Sequence, residues 1–266
     1  LAHDVVDDTV LSGAINHLRK AGVVLPKFSE LADPSTISPD VLSTVSRVDS
    51  RTANATNLFR VHWYNDAKKR NLVDVPGHII LDQSLTGVAA PIVVMLGERF
   101  PMIDAHKVLP AYACIVTRLI TGQFNPAESR AIWPSTGNYC RGGIAISRIL
   151  NCHGVAVLPA GMSRERFDWL EEWVVAPDDI VRTPGTESNV KEIYDECNAL
   201  AKNPANDILN QFSEFANYLA HFQCTGRAAG TIFEHLKKGN AELNLAAFVS
   251  ATGSGGTLAT ADYLKD

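Results

Sequence analysis

Residues 131–158 read AIWPSTGNYCRGGIAISRILNCHGVAVL. The first three, Ala131-Ile132-Trp133, form a short apolar run that predicts a strand. Pro134 to Asn138 then reads as a loop, and Gly142 to Leu150 has the spacing of a helix. Gly154 to Leu158 is uncharged, rich in branched side chains and stopped by Pro159, which predicts a second strand. The strands are continuous apolar runs rather than alternating ones. Strand, loop, helix and strand in that texture indicate a parallel sheet covered on both faces.

The same alternation extends outward. Val108 to Thr121 is apolar with helical spacing and ends near Gly122. Upstream, Ala90 to Leu96 (APIVVML) predicts a buried strand, and Ile79-Ile80-Leu81 is a short apolar run. Downstream, Ser163 to Trp173 predicts an amphipathic helix with Ser163 as its N-cap. Val190 to Ala201 predicts another helix. Leu245 to Ser250 (LAAFVS) predicts a strand running into Gly253-Ser254-Gly255-Gly256-Thr257, with a helix from there to Lys265. Residues 1–75 are mixed and polar, punctuated by Pro26, Pro34 and Pro39. Within them, Leu11, Ile15 and Leu18 make one stripe of a helix over Val10 to Ala21. No Pro/Gly/Ser-rich linker cuts the chain, so the expectation is an α/β fold of two interleaved domains.

Composition narrows the class. The chain has 266 residues, 46% hydrophobic and 20% charged, which excludes a disordered, collagenous or disulfide-scaffold protein. A net charge of −5, with Lys68-Lys69-Arg70 as the longest basic run, predicts no nucleic-acid partner. No apolar stretch reaches the ~18–20 residues of a membrane span. The five cysteines are odd in number and form no CxxC pair, which disfavours a disulfide framework and a zinc cage. A reducing cytoplasm suits them. No secretory signal is visible, and Leu1 in place of Met fits a processed or trimmed terminus.

Three features carry chemistry. Gly253 to Thr257 lies between a predicted strand and a predicted helix. Its glycines let backbone approach a ligand closely, and the following helix aims free N–H groups at it. A phosphate is the natural guest, although a plain glycine-rich turn has the same composition. Neither a Walker loop nor GxGxxG matches. Ser135-Thr136-Gly137-Asn138 stands at another strand-to-helix junction, where hydroxyls and N–H groups suit a carboxylate or simply start a helix. Lys107 sits among Pro101, Met102, Ile103, Val108 and Leu109, where desolvation favours the neutral, nucleophilic amine. A cation at a helix start also runs against the macrodipole. His106 beside it has no second ligand at metal spacing, so no metal is expected.

Together these segments resemble the fold-type II pyridoxal-phosphate enzymes of the cysteine synthase and cystathionine β-synthase superfamily. Ser135-Thr136-Gly137-Asn138 is similar to the family's substrate loop, and Lys107 precedes Asn138 by 31 positions, near the family's spacing. Pro159-Ala160-Gly161-Met162-Ser163-Arg164-Glu165-Arg166 resembles its Pro-x-x-Met-Ser-x-Glu-Arg segment. Gln211-Phe212, Asn217, His221 and Thr225-Gly226 resemble a further stretch, and Phe248 to Lys265 resembles the strand, phosphate loop and helix. The matches keep the family's order over residues 90–266.

The resemblance implies pyridoxal 5'-phosphate as cofactor. Lys107 would form the internal aldimine, Asn138 would bond the ring hydroxyl, and Gly253, Ser254, Gly255, Gly256 and Thr257 would hold the phosphate. The His106-Lys107 pair looks like that of tryptophan synthase β subunits, which would set His106 against the phosphate or cofactor. Ser135, Thr136, Gly137 and Gln211 would grip the substrate α-carboxylate. The implied activity is β-elimination or β-replacement on a small amino acid through an aminoacrylate, cysteine synthase-like. Alternatives are an ammonia-lyase or dehydratase of serine, threonine or diaminopropionate type, and a non-catalytic homologue or subunit of a complex. The implied domains are a large one from 1–99 and 210–266, and a small one spanning 100–209 with the lysine and substrate loop. A homodimer is also implied. In the family the large domain continues past the phosphate loop, so the expectation is that this C-terminal part lies on a second chain or a longer form.

The sequence departs from the family after the asparagine, where Tyr139-Cys140-Arg141 replaces Thr-Gly. Arg141 reads either as a recogniser of an acidic substrate group or as an ordinary helix-start arginine, and Cys140 as a packed cysteine. Residues 1–75 match no family pattern.

Overall fold

In the computed structural model, which describes residues 4–266, Asp7 caps the first helix by accepting from the Thr9 and Val10 N–H groups. The Leu1 terminus and the first residues of the 1–99 segment lie outside the described residues. Helices α1 (Asp8–Lys20), α2 (Phe28–Ala32) and α3 (Pro39–Arg47) precede strand β1 (His78–Leu81), short helix α4 (Gln83–Thr86) and strand β2 (Ile92–Met95). Then come α5 (Val108–Ile120), β3 (Arg130–Pro134), α6 (Asn138–Ile149), β4 (His153–Pro159) and α7 (Arg164–Trp173). The chain continues through β5 (Ile180–Thr183), α8 (Val190–Leu200), β6 (Asn206–Ile208) and α9 (Phe215–Ala220). A π-helical turn, His221–Gly226, leads into α10 (Arg227–Gly239), and α11 (Leu258–Lys265) follows.

The main sheet is parallel and four-stranded, in the order β5-β4-β3-β6. Consecutive apolar residues serve its two faces. Ala131, Trp133, Ala156 and Leu158 join the core shared with α5 and α6. Ile132, Val155 and Val157 pack with Ile193 and Cys197 of α8. That is why β3 and β4 are continuously apolar. Among the described residues no helix is long and apolar enough to cross a membrane.

Glycines set the helix approach. A Cβ on Gly143 of α6 would lie 2.0 Å from the Trp133 ring, and one on Gly142 would lie 3.0 Å from the Lys107 carbonyl oxygen. Each glycine costs the helix about 1 kcal/mol against alanine. In return α6 seats on β3 and on the start of α5. The buried Trp133 indole donates to Ser147 Oγ at 2.9 Å, so the ring is apolar in packing and satisfied at its edge.

Two expectations are corrected. The run Ala90–Leu96 does contain a strand, but β2 pairs antiparallel with β1 alone and is not buried. Ile79, Ile80, Ile92, Val93 and Val94 remain exposed, because a lone two-stranded ribbon has no sheet or helix to cover it. Leu245–Ser250 is not a strand; no neighbour offers it a ladder, and Val249 is 89% exposed.

Candidate active site

Lys107 immediately precedes α5 and carries no carboxylate partner among the described residues. Its ammonium donates to Gln211 Oε1 at 2.8 Å. Burial holds the Lys107 pKa below the ordinary lysine value, in the direction that frees a neutral amine.

Gln211 is tied to the glycine loop by one side chain. The buried Asn217 amide donates to the Gln211 carbonyl oxygen and to Ser254 Oγ, both at 3.0 Å. Its Oδ1 has no hydrogen-bond partner among the described residues. A Cβ on Gly256 would come within 2.3 Å of that oxygen, so this glycine is what lets the loop lie against Asn217. Gly255 has φ +78°, a left-handed conformation that glycine adopts freely. Ser250 and Thr257 hydroxyls bond across the loop at 2.7 Å. The structure thus brings Lys107, Gln211 and the 253–257 loop to one place.

A second cluster backs the lysine. The Trp63 indole N–H donates to Thr225 Oγ1 at 2.9 Å, and Thr225 Oγ1 lies 2.9 Å from His221 Nδ1. The arrangement giving each proton an acceptor runs Trp63 to Thr225 to His221 Nδ1, leaving Nε2–H as a donor. His221 Nε2 and His106 Nε2 are both buried without partners among the described residues. The rings meet edge to face at 5.6 Å, and His106 stacks on Trp63 at 5.8 Å. Burial, with the Lys107 charge adding to it, pushes His106 down to about 4. His221 falls well below the usual histidine value, chiefly through burial. Both are neutral at pH 7.

The 135–138 loop sits at the carboxyl end of β3. Ser135 Oγ accepts from the Gly137 N–H at 3.1 Å, and α6 begins with no side-chain cap on its first N–H groups. Asn138 is exposed and its Oδ1 takes Arg141 Nη1 at 3.4 Å. No hydrogen bond links residues 135–138 to Lys107 or to the glycine loop; they approach through the packing of Gly142 on Lys107. Cys140 is buried, its thiol pushed up to about 12 by burial, and it donates to the Gly137 carbonyl oxygen. It is packed, not poised as a nucleophile.

The unsatisfied atoms fit a phosphorylated cofactor. His106 Nε2 and His221 Nε2 are buried nitrogens without partners among the described residues, suited to donate to an anion, and Gly256 lets the glycine loop lie close against Asn217. Sequence reasoning missed Trp63 and the roles of Asn217, His221 and Thr225. The signal was present for the last three, which recur every fourth residue and so share one helical face. The π-helical turn at His221–Gly226 is itself a frequent mark of functional sites.

The fold, a parallel sheet flanked by helices, is shared with solved enzymes. No family model matches the sequence. A hydrogen sulfide-producing enzyme from Fusobacterium nucleatum aligns with TM-score 0.57 at 24% identity, over 71% of this chain and 58% of that one. Another hydrogen sulfide-producing enzyme, a mutant in complex with an alpha-aminoacrylate intermediate, aligns with TM-score 0.59 at 20% identity, over 71% and 54%. The O-acetylserine-dependent cystathionine beta-synthase from Helicobacter pylori gives TM-score 0.60 at 21% identity, over 71% and 58%. The chain spans 54–58% of the length of these structures.

Proposed function

We propose that the chain binds pyridoxal 5'-phosphate at Lys107 and serves β-elimination or β-replacement on a small amino acid. One observation carries the reading: a half-buried lysine without an acidic partner among the described residues faces Gln211, and Asn217 joins Gln211 to a glycine loop that precedes a helix.

The cofactor, when bound, supplies an electron sink for negative charge developing at the substrate Cα. The chain supplies the rest. Gly253 to Thr257 present backbone N–H groups and hydroxyls to the phosphate. His106 and His221, neutral, offer N–H donors without adding charge. Asn138 would bond the ring hydroxyl, and Ser135, Thr136, Gly137 and Gln211 would take the substrate α-carboxylate. Lys107, whose proton burial makes easier to lose, removes and returns the Cα proton. In elimination the Cα proton and the Cβ leaving group depart, and water then yields a keto acid and ammonia. In replacement a nucleophile adds at Cβ and the proton returns to Cα. The catalytic unit divides into residues 100–209 and the flanking 1–99 and 210–266.

The test is to incubate the protein with pyridoxal phosphate, reduce with borohydride and map the adduct by peptide mass. A reduced adduct on Lys107, and a visible absorbance band that Lys107→Ala removes, support the reading. A protein that stays colourless, or an adduct on another lysine, overturns it. Keto acid and ammonia measured with and without a thiol then separate elimination from replacement.

A further inference from the structure

Two arginines converge on the 135–138 loop with no carboxylate to neutralise them. Arg141 lies in the first turn of α6, its guanidinium 4.8 Å above the Trp169 ring of α7. Its Nε is buried without a partner, and its one side-chain bond is the 3.4 Å contact to Asn138. Arg166, on the first turn of α7, stacks its guanidinium against the Gly137 backbone: a Cβ there would lie 2.7 Å from Nε. Among the described residues neither arginine is within ion-pair distance of an acid. Glu165 and Asp104 act on Arg141 only through space, and Arg166 opposes it as a like charge. The neighbouring residue, Gly142, touches the backbone of Lys107.

Both cations stand at the start of α6, where the helix macrodipole already favours anions and disfavours positive charge. One carboxylate is accommodated by the loop hydroxyls and the uncapped N–H groups alone. Two guanidiniums in addition, partly desolvated and lacking acids, leave the site with more positive charge than one α-carboxylate balances. Arginine forks also suit carboxylate, sulfonate and phosphate oxygens geometrically.

We propose that Arg141 and Arg166 recognise a second anionic group on the substrate, so that the amino acid taken carries an acidic side chain or leaving group. This rests on the reading of residues 135–138 as the substrate loop. It assigns a role to Arg141, where the family pattern has Thr-Gly, and to Arg166, which reaches the loop from a different helix.

The experiment compares O-phospho-L-serine, L-aspartate and L-serine as ligands of the full chain by calorimetric titration, with Arg141→Gln, Arg166→Gln and Arg141→Lys alongside. The expected result is roughly tenfold or greater preference for the two anionic amino acids over L-serine. Arg141→Gln and Arg166→Gln each reduce that preference about tenfold, and Arg141→Lys restores part of it. Thermal unfolding of each variant confirms that the fold persists. Equal affinity for all three ligands, or a variant that weakens them equally, overturns the proposal. So does failure of O-phospho-L-serine to bind. A Lys107 adduct without anion preference sinks this inference and spares the cofactor reading. Arginine-dependent anion preference without the adduct does the reverse.

Discussion

Lys107 and Gln211, 104 residues apart in the chain, meet through a 2.8 Å hydrogen bond from the ammonium to Oε1. It is the one hydrogen-bond acceptor of this half-buried cation among the described residues. Replacing Gln211 with Leu leaves the charge unpaired, at a cost of about 1–3 kcal/mol at neutral pH. The Lys107 pKa is already depressed, so the unfolded chain binds the proton more tightly than the folded one. Stability therefore rises with pH until the unfolded lysine also loses its proton, near ~10.4. The Gln211→Leu deficit, read from urea midpoints, should shrink on that approach. A deficit constant from pH 7 to pH 10 would show that Gln211 matters for packing rather than for the charge. Lys107→Met should remove the dependence.

Asn217 offers a sharper probe of the loop. Asn217→Ala removes both bonds that tie Ser254 to Gln211. Gly256→Ala instead drives a methyl into Asn217 Oδ1 from 2.3 Å, which displaces the amide without deleting it. Both should weaken pyridoxal-phosphate binding by tenfold or more, roughly the worth of one or two hydrogen bonds to a charged group. Inorganic phosphate, titrated as competitor, should lose affinity in parallel. Unchanged cofactor affinity in Gly256→Ala would remove the loop from the site.

What the sequence discloses and what it hides follow from distance. Strands β3 and β4 are legible because each is covered on two faces and so is apolar throughout. Strands β5 and β6 are short and carry Arg182, Asn206 and Asp207, so no apolar run marks them. The opposite error arises at Ile92–Met95 and Leu245–Ser250, where composition records fitness for burial but not whether a neighbour exists. In the site, Lys107 and the glycine loop are visible as residue types in unusual places. Trp63 is not, because its bond to Thr225 spans 162 residues and leaves no local pattern.

Buried neutral histidines make the fold acid-sensitive. His62 is pushed down to about 3 and His106 to about 4, in both cases chiefly by burial. With a folded pKa below the unfolded 6.5, each is protonated first in the unfolded chain as pH falls. The histidines' contribution to stability is present above pH 6.5 and is lost progressively below it. By pH 5 each histidine removes about 2 kcal/mol. His62→Gln should flatten the slope between pH 7 and pH 5 in urea unfolding. A slope identical to that of the parent protein would mean that other groups govern acid sensitivity.

The last prediction isolates packing from chemistry. Gly143 and Gly239 are both helical, and alanine has the higher helix propensity at either position by about 1 kcal/mol. At Gly239 an added Cβ meets nothing within 4 Å, so Gly239→Ala should raise stability by ~0.4–1 kcal/mol. At Gly143 the same methyl falls 2.0 Å from the Trp133 ring. Trp133 is fully buried and held at its edge by Ser147, so it has nowhere to retreat. Gly143→Ala should therefore lower stability by about 1–3 kcal/mol despite the propensity gain. Denaturant melts of the two variants give shifts of opposite sign. A stabilised Gly143→Ala would mean that α6 does not seat on β3 at that glycine, and that the start of α5 is positioned by something else.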